Sequence, residues 1–158
     1  MEKYKILLLL TSLMFVSYIA EAQTISVLKP STENISEEVS VLLHNRLTQA
    51  VTLNGMASTD DSNSFLLIPV VTVVSIEPTT MPPIKYIAEV EVLLCLFNNN
   101  REWLVSSEIL TKKGVGSTET KAIQEAIRSI KARDSKLKKF IVNGKKKIVE
   151  YNNADMAE

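Results

Sequence analysis

The sequence predicts an α+β domain: a mainly antiparallel sheet of about four strands with three helices packed on one face. Three stretches have the apolar spacing of amphipathic helices, with apolar residues three or four positions apart. Between the first and the second of them lie β-branched stretches separated by short polar segments, which is typical of antiparallel strands. Layering the helices on one side of such a sheet lets each helix bury its apolar face.

The first strand and the first helix are predicted between Thr24 and Gly55. Thr24–Leu28 is a short strand, and Ser36 is a suitable N-cap for the helix that follows. Apolar residues then keep helical spacing at Ile35, Val39, Leu42, Leu43, Leu47 and Ala50. Gly55 predicts the end of this helix near Leu53, because glycine readily adopts the left-handed conformation of a helix C-terminus.

Three longer strands are predicted next. Phe65–Ile76 is apolar at successive positions, as in a central strand covered on both faces. Pro69 within it predicts a bulge or a sheet edge, because proline cannot donate a backbone hydrogen bond. Ile84–Phe97 and Arg101–Thr111 form a hairpin around a turn of three asparagines. One face of the last strand is predicted to carry Trp103, Val105, Ser107 and Ile109.

Two helices are predicted after the sheet. Gly114-Val115-Gly116 ends the sheet, and Ser117 caps a helix with the apolar residues Ala122, Ile123, Ala126, Ile127 and Ile130. The glycines also suggest a phosphate cradle, but the Lys-Ser/Thr of a P-loop is missing, which favours a turn. Asp134 or Ser135 caps the last helix, on whose inward face Gly144 permits close packing. The same face carries Leu137, Phe140, Ile141, Ile148 and Tyr151.

The N-terminal residues predict export. Lys3 and Lys5 precede an uncharged apolar run of 15 residues, Ile6–Ala20. The run is followed by an A-x-A cleavage site, with the cut after Ala22. It is short for a spanning helix, which needs roughly 20 apolar residues. We expect a periplasmic or secreted protein with no transmembrane segment in the mature chain. Its parts are a signal peptide (1–22), a single domain (23–151) and a frayed tail (152–158).

Few side chains are suited to catalysis. The chain has one histidine, His44, and one cysteine, Cys95, and these two alone cannot form a Cys/His zinc site. A Ser-His-Asp or Cys-His site needs a base, and His44 is the only imidazole. We expect His44 to share a solvated helix face with Ser40 and Thr48, and Cys95 to be buried as a small apolar residue. Asp60-Asp61 lacks the spaced ligands of a calcium loop. We therefore predict no enzymatic activity, no metal and no cofactor.

Charge is distributed unevenly, although the net charge is zero. Residues 23–111 contain four basic and ten acidic residues, a net charge of −6, whereas residues 112–147 contain twelve basic and three acidic residues, a net charge of +9. The last helix holds a dense group that we predict as a possible anion-binding surface: Lys136, Lys138, Lys139, Lys145, Lys146 and Lys147. Basic amphipathic helices bind anionic lipids and other polyanions. The alternative is that these lysines only solvate the helix.

The order of elements resembles two families of envelope proteins. A short strand, a helix reading Ile35-Ser36-Glu37-Glu38-Val39, a hydrophobic strand, a hairpin, a Gly-x-Gly-Ser turn and an Ala-rich helix follow one another over roughly Thr24 to Ile130. This order resembles the N-terminal domain of the translocation protein TolB and the periplasmic domain of the curli secretion lipoprotein CsgG. Uncharacterised exported proteins of Bacteroides-type bacteria are similar in Leu42–Gly55 and Gly114–Ile130.

The resemblance implies a non-catalytic module of an envelope assembly. We expect an exported interaction module of the bacterial cell envelope that contacts an envelope protein partner through its sheet edge or its helix layer. The alternative is a binding protein for an anionic envelope component, a lipid or a glycan, that uses the Lys-rich last helix. Nucleic acid is not an expected partner, because export removes most such targets and no aromatic residues are interleaved with the lysines.

Overall fold

The structure, a computed structural model, describes residues 24–33, 35–56 and 65–155. The predicted signal peptide and Asp60-Asp61 lie outside these residues. The α+β prediction is confirmed: the described chain forms one four-stranded sheet, in the order β1-β2-β3-β4, and three helices. The elements are β1 (Ser26–Val27), α1 (Glu37–Leu53), β2 (Phe65–Pro78), β3 (Tyr86–Asn98), β4 (Trp103–Gly116), α2 (Glu119–Arg128) and α3 (Ser135–Asp155).

The sheet is mixed, because β1 runs parallel to β2 while the other pairs are antiparallel. The β1 contact is short and ends where the backbone N–H of Leu28 donates to the carbonyl of Leu67 at 2.9 Å. Pro69 comes two residues after Leu67 in β2, so its backbone nitrogen faces the same side as the Leu67 carbonyl. Strand β1 has already ended there, and the N–H that proline lacks is not needed for pairing. Of the two predicted explanations for Pro69, the edge applies, since the register shift in β2 lies between Val73 and Ser75.

Among the described residues, helices cover only one face of the sheet, which corrects the prediction that β2 is buried on both faces. Its inward residues are mostly buried, but Val70 and Val74 on the other face are 48% and 52% exposed. The three helices supply one layer, so within the described part of the chain the opposite face of β2 has no layer to pack against. We call the helix-covered side the inner face and the opposite side the outer face. Five alternating residues of β3 fill the inner face: Ala88, Val90, Val92, Leu94 and Leu96.

The predicted face of β4 is also wrong, because the pairing register shifts between Leu96 and Phe97. This irregularity reverses the alternation of β4, so that Val105 is buried while Ile109 is 45% exposed. Trp103 and Ser107 are exposed as well. Beyond the shift, the residues paired with the inner face of β3 are Ser106, Glu108, Leu110, Lys112 and Gly114.

Helix α1 forms as predicted. Ser36 is its N-cap and accepts a hydrogen bond from the backbone N–H of Val39 at 3.4 Å. Gly55 follows its C-terminus with a positive φ of 71°, the conformation that glycine adopts at little cost. Leu43 and Leu47 are fully buried in the core between helix and sheet.

The predicted solvated face of α1 is half-buried instead. Ser40 is 1% exposed and donates its hydroxyl to the carbonyl of Pro30 at 3.0 Å. His44 Nδ1 and Thr48 Oγ1 are buried and have no hydrogen-bond partner among the described residues. The prediction of a solvated face is thus confirmed only in part: His44 is partly exposed, whereas Ser40 is buried against the segment around Pro30.

The Gly114-Val115-Gly116 sequence lies within β4, not in a turn, and Thr118 rather than Ser117 caps α2. A Cβ atom on Gly114 would collide with the backbone of Ala122 and Ala126, and one on Gly116 would collide with the start of the same helix. The glycines thus let α2 approach the strand at backbone distance. Their role is close packing, and the space that a phosphate would need is filled by the helix.

Helix α3 closes the core. Asp134 caps it, since its Oδ1 accepts from the backbone N–H groups of Lys136 and Leu137 at 3.0 and 3.4 Å. Gly144 faces the sheet as predicted, and an added Cβ would lie 2.7 Å from Cδ2 of Leu96. The helix continues to Asp155, four residues into the stretch that we expected to fray.

Candidate functional site

The outer face of the sheet is divided into an apolar half and a polar half. Residues directly opposite one another on neighbouring strands point to the same side of a sheet. The register therefore gathers eight residues that we call the apolar patch: Leu66, Ile68 and Val70 of β2, Leu93, Cys95 and Phe97 of β3, and Leu104 and Ile109 of β4. The polar half carries Thr72, Ser75, Glu89, Glu91, Thr111 and Lys113, and it also includes the exposed apolar side chains of Val74, Ile87 and Val115.

The apolar patch is open to solvent at its margins. Val70, Leu104 and Ile109 are about half exposed, and the β3 residues between them are partly exposed. Soluble proteins rarely leave a contiguous apolar surface of this kind without a binding function. The patch was missed in the sequence because Leu93, Cys95 and Phe97 alternate with core residues. In a continuous apolar run, the pattern does not tell which face the helices cover.

Cys95 belongs to this patch, so its predicted place in the core is wrong. It is partly exposed and pairs with Ser107 on the outer face of the sheet. Its surroundings raise the pKa of the thiol, because partial burial disfavours the charged thiolate. The thiol therefore stays protonated at neutral pH and lacks the activation that a catalytic nucleophile needs.

A second surface of interest is a groove of about 510 Å³ between the free edge of β4 and helix α3, which we call the basic groove. Four of the six predicted lysines line it, together with three consecutive residues of β4. The full lining is Ser106, Ser107, Glu108, Lys136, Lys139, Phe140, Asn143, Lys146, Lys147 and Glu150.

The ammonium groups of two of these lysines are already bound by other groups of the protein. Lys136 Nζ lies 3.0 Å from a carboxylate oxygen of Glu108 and donates to the carbonyl of Ile109 at 2.7 Å. Lys147 Nζ donates to the carbonyl of Val105 at 3.0 Å. Both carbonyls belong to the edge strand β4, where unpaired backbone groups invite another strand to add. The two lysines therefore cap the sheet edge in addition to carrying charge.

The other two groove lysines, Lys139 and Lys146, have no hydrogen bond or ion pair with any described residue. They are seven residues apart, so they lie on the same side of α3, separated by about 10.5 Å along its axis. Asn143 lies between them on that side. Ser106 Oγ, also in the lining, is buried and lacks a hydrogen-bond partner in the described chain. The groove thus holds unused positive charge and unused hydrogen-bonding groups.

The two remaining predicted lysines are not part of this groove. Lys138 lines a separate cavity of about 290 Å³ beside Asn54 and Arg133. Lys145 Nζ lies 3.4 Å from the carbonyl of Gly55, at the end of α1. The helical repeat therefore distributes the six lysines over two sides of α3. A dense run in the sequence is not one continuous surface in the structure.

An ion pair fixes α3 against β4. Lys112, which points to the inner face of β4, lies 2.7 Å from Oδ2 of Asp134, and both side chains are largely shielded from solvent. The lysine, together with the backbone N–H donors at the start of α3, lowers the pKa of Asp134. Since Asp134 is also the N-cap of α3, this contact sets where the groove-lining helix begins.

Two further findings limit what the described residues can do. In residues 24–33, 35–56 and 65–155, no three His, Cys, Asp or Glu side chains are grouped so that they could hold a metal ion. Within the same ranges, every helix is too short or too polar to span a bilayer.

No sequence-family model matches the chain, and no curated protein matches it. Several solved bacterial structures are similar. A Xanthomonas campestris protein of the family DUF330 is 14% identical, with 88% of this chain and 91% of that one covered and a TM-score of 0.51. PelC from Paraburkholderia phytofirmans, a dodecamer, is 14% identical over 73% of this chain and 87% of its own, with a TM-score of 0.47.

A minor lipoprotein from Acinetobacter baumannii is 12% identical over 83% of this chain and 95% of its own, with a TM-score of 0.45. At such identities only the fold is shared, and the Xanthomonas protein carries that conclusion. None of these three proteins is described as a TolB or CsgG domain, so the resemblance to those families stays a prediction.

Proposed function

We propose that this chain is an exported, non-catalytic interaction module of a bacterial cell-envelope assembly, which binds a partner protein through its apolar patch. The observation that carries the proposal is the outer face, which no described helix covers and where apolar residues of three strands lie together. The signal-peptide layout of the first 22 residues supports the location.

The other two candidate surfaces, the sheet edge and the helix layer, are less suited to apolar docking. Lys136 and Lys147 already donate to carbonyls along the β4 edge. The outward sides of α2 and α3 carry mostly charged residues, and their apolar sides are buried in the core. The outer face is thus the surface with the most burial to gain.

The dimensions of the patch define the partner's chemistry. It spans about 10 Å across three strands and about 13 Å along them, by standard strand spacings. A stable interface usually buries roughly 800 Å² per partner, so contact extends into the neighbouring polar half, as far as Glu91 and Thr111. The partner should present an apolar centre with a polar, hydrogen-bonding rim.

A matched pair of variants tests the proposal. Ile109→Lys places a charge in the patch at a side chain that is 45% exposed, whereas Val115→Lys places it on the same strand and face, at a 50% exposed side chain outside the patch. The full chain is expressed in a bacterial host, and its processed form is used to capture proteins from envelope extract. We expect one stoichiometric partner with the wild type and with Val115→Lys, and at least about tenfold less with Ile109→Lys, because burying an unpaired charge is costly.

Cys95 gives an independent reading of the same contact. It is the only cysteine of the chain and lies in the patch, so a bound partner should slow its alkylation. Equal capture by the two lysine variants, or unchanged Cys95 alkylation with the captured protein bound, would contradict docking through the patch.

A second function is favoured by a different observation, the two lysines of the basic groove that have no ion pair with a described residue. We propose it as the alternative: binding of an anionic envelope component, a lipid or a glycan. It predicts binding to vesicles that contain phosphatidylglycerol and loss of that binding as salt is raised, because exposed charges are screened. Binding that salt does not weaken, or no binding at all, would remove this alternative.

A further inference from the structure

We infer that the basic groove is a binding site for a phosphate group, held between Lys139 and Lys146. This inference deepens the second proposed function and rests on it: the anionic component would be recognised by its phosphate. It reduces the predicted surface of six lysines to two lysines and the polar groups between them.

The geometry of α3 allows two lysines to reach the same anion. Lys139 and Lys146 are two helical turns apart on one side, with Asn143 between them. Each extended lysine side chain reaches about 6 Å from its Cα, so the two ammonium groups can converge on one anion near the level of Asn143. The amide of Asn143 and the hydroxyl of Ser107, on the opposite wall, can both donate to such an anion.

Three charged groups of the groove are engaged by neighbouring groups of the protein. Glu108 would repel an anion, but Lys136 lies 3.0 Å from its carboxylate. Lys147 is directed to the carbonyl of Val105. Glu150 is four residues beyond Lys146 and forms no ion pair with a described residue, so it limits the site at that end. Within the described part of the chain, Lys139 and Lys146 are then the cations available to a ligand.

The residue types in the groove favour phosphate over a carboxylate as the bound anion. Arginine matches planar carboxylates through two parallel hydrogen bonds, whereas lysine acts as a point charge and is a common phosphate ligand. The groove lining contains four lysines and no arginine. A tetrahedral anion can also accept from hydroxyl and amide donors at several angles, as the serines and Asn143 provide. Ser106 Oγ, which is buried and has no hydrogen-bond partner among the described residues, adds a further polar group to the lining of the groove.

Helix α3 is not suited to insertion into a membrane. The apolar residues of α3, Leu137, Ile141 and Ile148, are buried against the sheet, so the helix has no apolar stripe left for the acyl region of a bilayer. A lipid would therefore be recognised through its headgroup alone. The phosphate can come from such a headgroup or from a soluble phosphorylated compound, and the experiment separates these sources.

The test compares two double variants that remove the same charge. K139Q/K146Q changes the groove, whereas K131Q/K138Q removes two exposed lysines outside it; none of the four forms an ion pair with a described residue. The processed full chain is titrated with inorganic phosphate and with glycerol phosphate, at constant ionic strength set with chloride, and followed by amide NMR. Vesicles of phosphatidylcholine, with or without phosphatidylglycerol, are tested by co-sedimentation.

We expect saturable shifts at Ser107, Lys139, Asn143 and Lys146, with affinity lowered at least about tenfold by K139Q/K146Q and less than about twofold by K131Q/K138Q. Binding of soluble phosphates with this pattern supports the site and a soluble source. Binding of phosphatidylglycerol vesicles alone, with the same pattern, supports the site and a lipid source.

Two results would overturn the site. Equal weakening by both double variants would mean that anions respond to overall charge, which would leave the second proposed function standing without the groove. No saturable binding of any of these probes would remove both. Neither result affects docking through the apolar patch, which the Ile109 and Val115 variants test separately.

Discussion

The two faces of this sheet are made of similar residues but have different surroundings. On β3, Leu94 points to the helices and is fully buried, while its neighbour Leu93 points to the outer face and is partly exposed. Glycines at the end of β4 bring α2 to backbone distance on the inner face, and no described helix covers the outer one. The difference shows that the apolar content of a strand predicts its preference for a sheet, whereas the covering layer decides what is core.

The largest effect is expected from truncating adjacent leucines on the two faces. Leu94→Ala should lower the free energy of unfolding by about 3 kcal/mol, because it leaves a cavity in the core. Leu93→Ala should cost less than about 1 kcal/mol, since its side chain is already partly hydrated. Urea unfolding of the processed chain measures both values, and equal costs would mean that the outer face is as buried as the inner one.

The next largest effect concerns the helix contact at the end of β4. Gly114→Ala should cost about 2 kcal/mol, because its Cβ would collide with the backbone of α2, which must then shift. Val115→Ala, one residue along on the outer face, should stay within about 0.5 kcal/mol. Thermal or urea unfolding of the two variants is sufficient, and a Gly114→Ala protein as stable as the wild type would argue against close packing of α2 on this strand.

The smallest changes in the free energy of unfolding are expected from removing one ion pair on each face of the sheet. Asp134→Asn keeps a residue suited to the N-cap but loses the shielded pair with Lys112, and should cost about 1 kcal/mol at neutral pH. Glu89→Gln removes the more exposed outer-face pair with Lys113, at 3.1 Å, and should cost about 0.3 kcal/mol or less.

The pH dependence identifies the Asp134 contribution. Its pKa is lowered in the folded state, so the unfolded chain takes up the proton first as pH falls. The stabilisation is complete above the unfolded pKa of about 4 and is lost as pH falls through the lower folded value. The stability difference between wild type and Asp134→Asn should therefore disappear in acid. A difference that instead grows in acid would contradict the assignment.

Local features of the fold could be read from the sequence, whereas features that depend on pairing between distant segments could not. The Ser36 cap, the end of α1 at Gly55 and the inward position of Gly144 each follow from residues within one helix. The exposed side of Ile109 follows from a register shift with β3, which no pattern within β4 reveals. The apolar run of Phe65–Ile76 is likewise compatible with one covered face or with two. Only the positions of the helices decide between them.

The candidate site divides in the same way. The sequence drew attention to the lysines of α3, and helical geometry alone would separate Lys138 from Lys139. It could not reveal that Lys136 and Lys147 are engaged by carbonyls of β4, which are 27 and 42 residues away along the chain. The apolar patch combines three strands and exists only once their register is set.

The two lysines on the β4 edge also bear on the order in which the protein folds. Helix α3 follows the sheet along the chain, and until it docks the carbonyls of Val105 and Ile109 do not have their lysine partners. During that interval the incomplete sheet can accept a foreign strand. Docking of α3 therefore ends the period in which the folding chain is most exposed to misassembly.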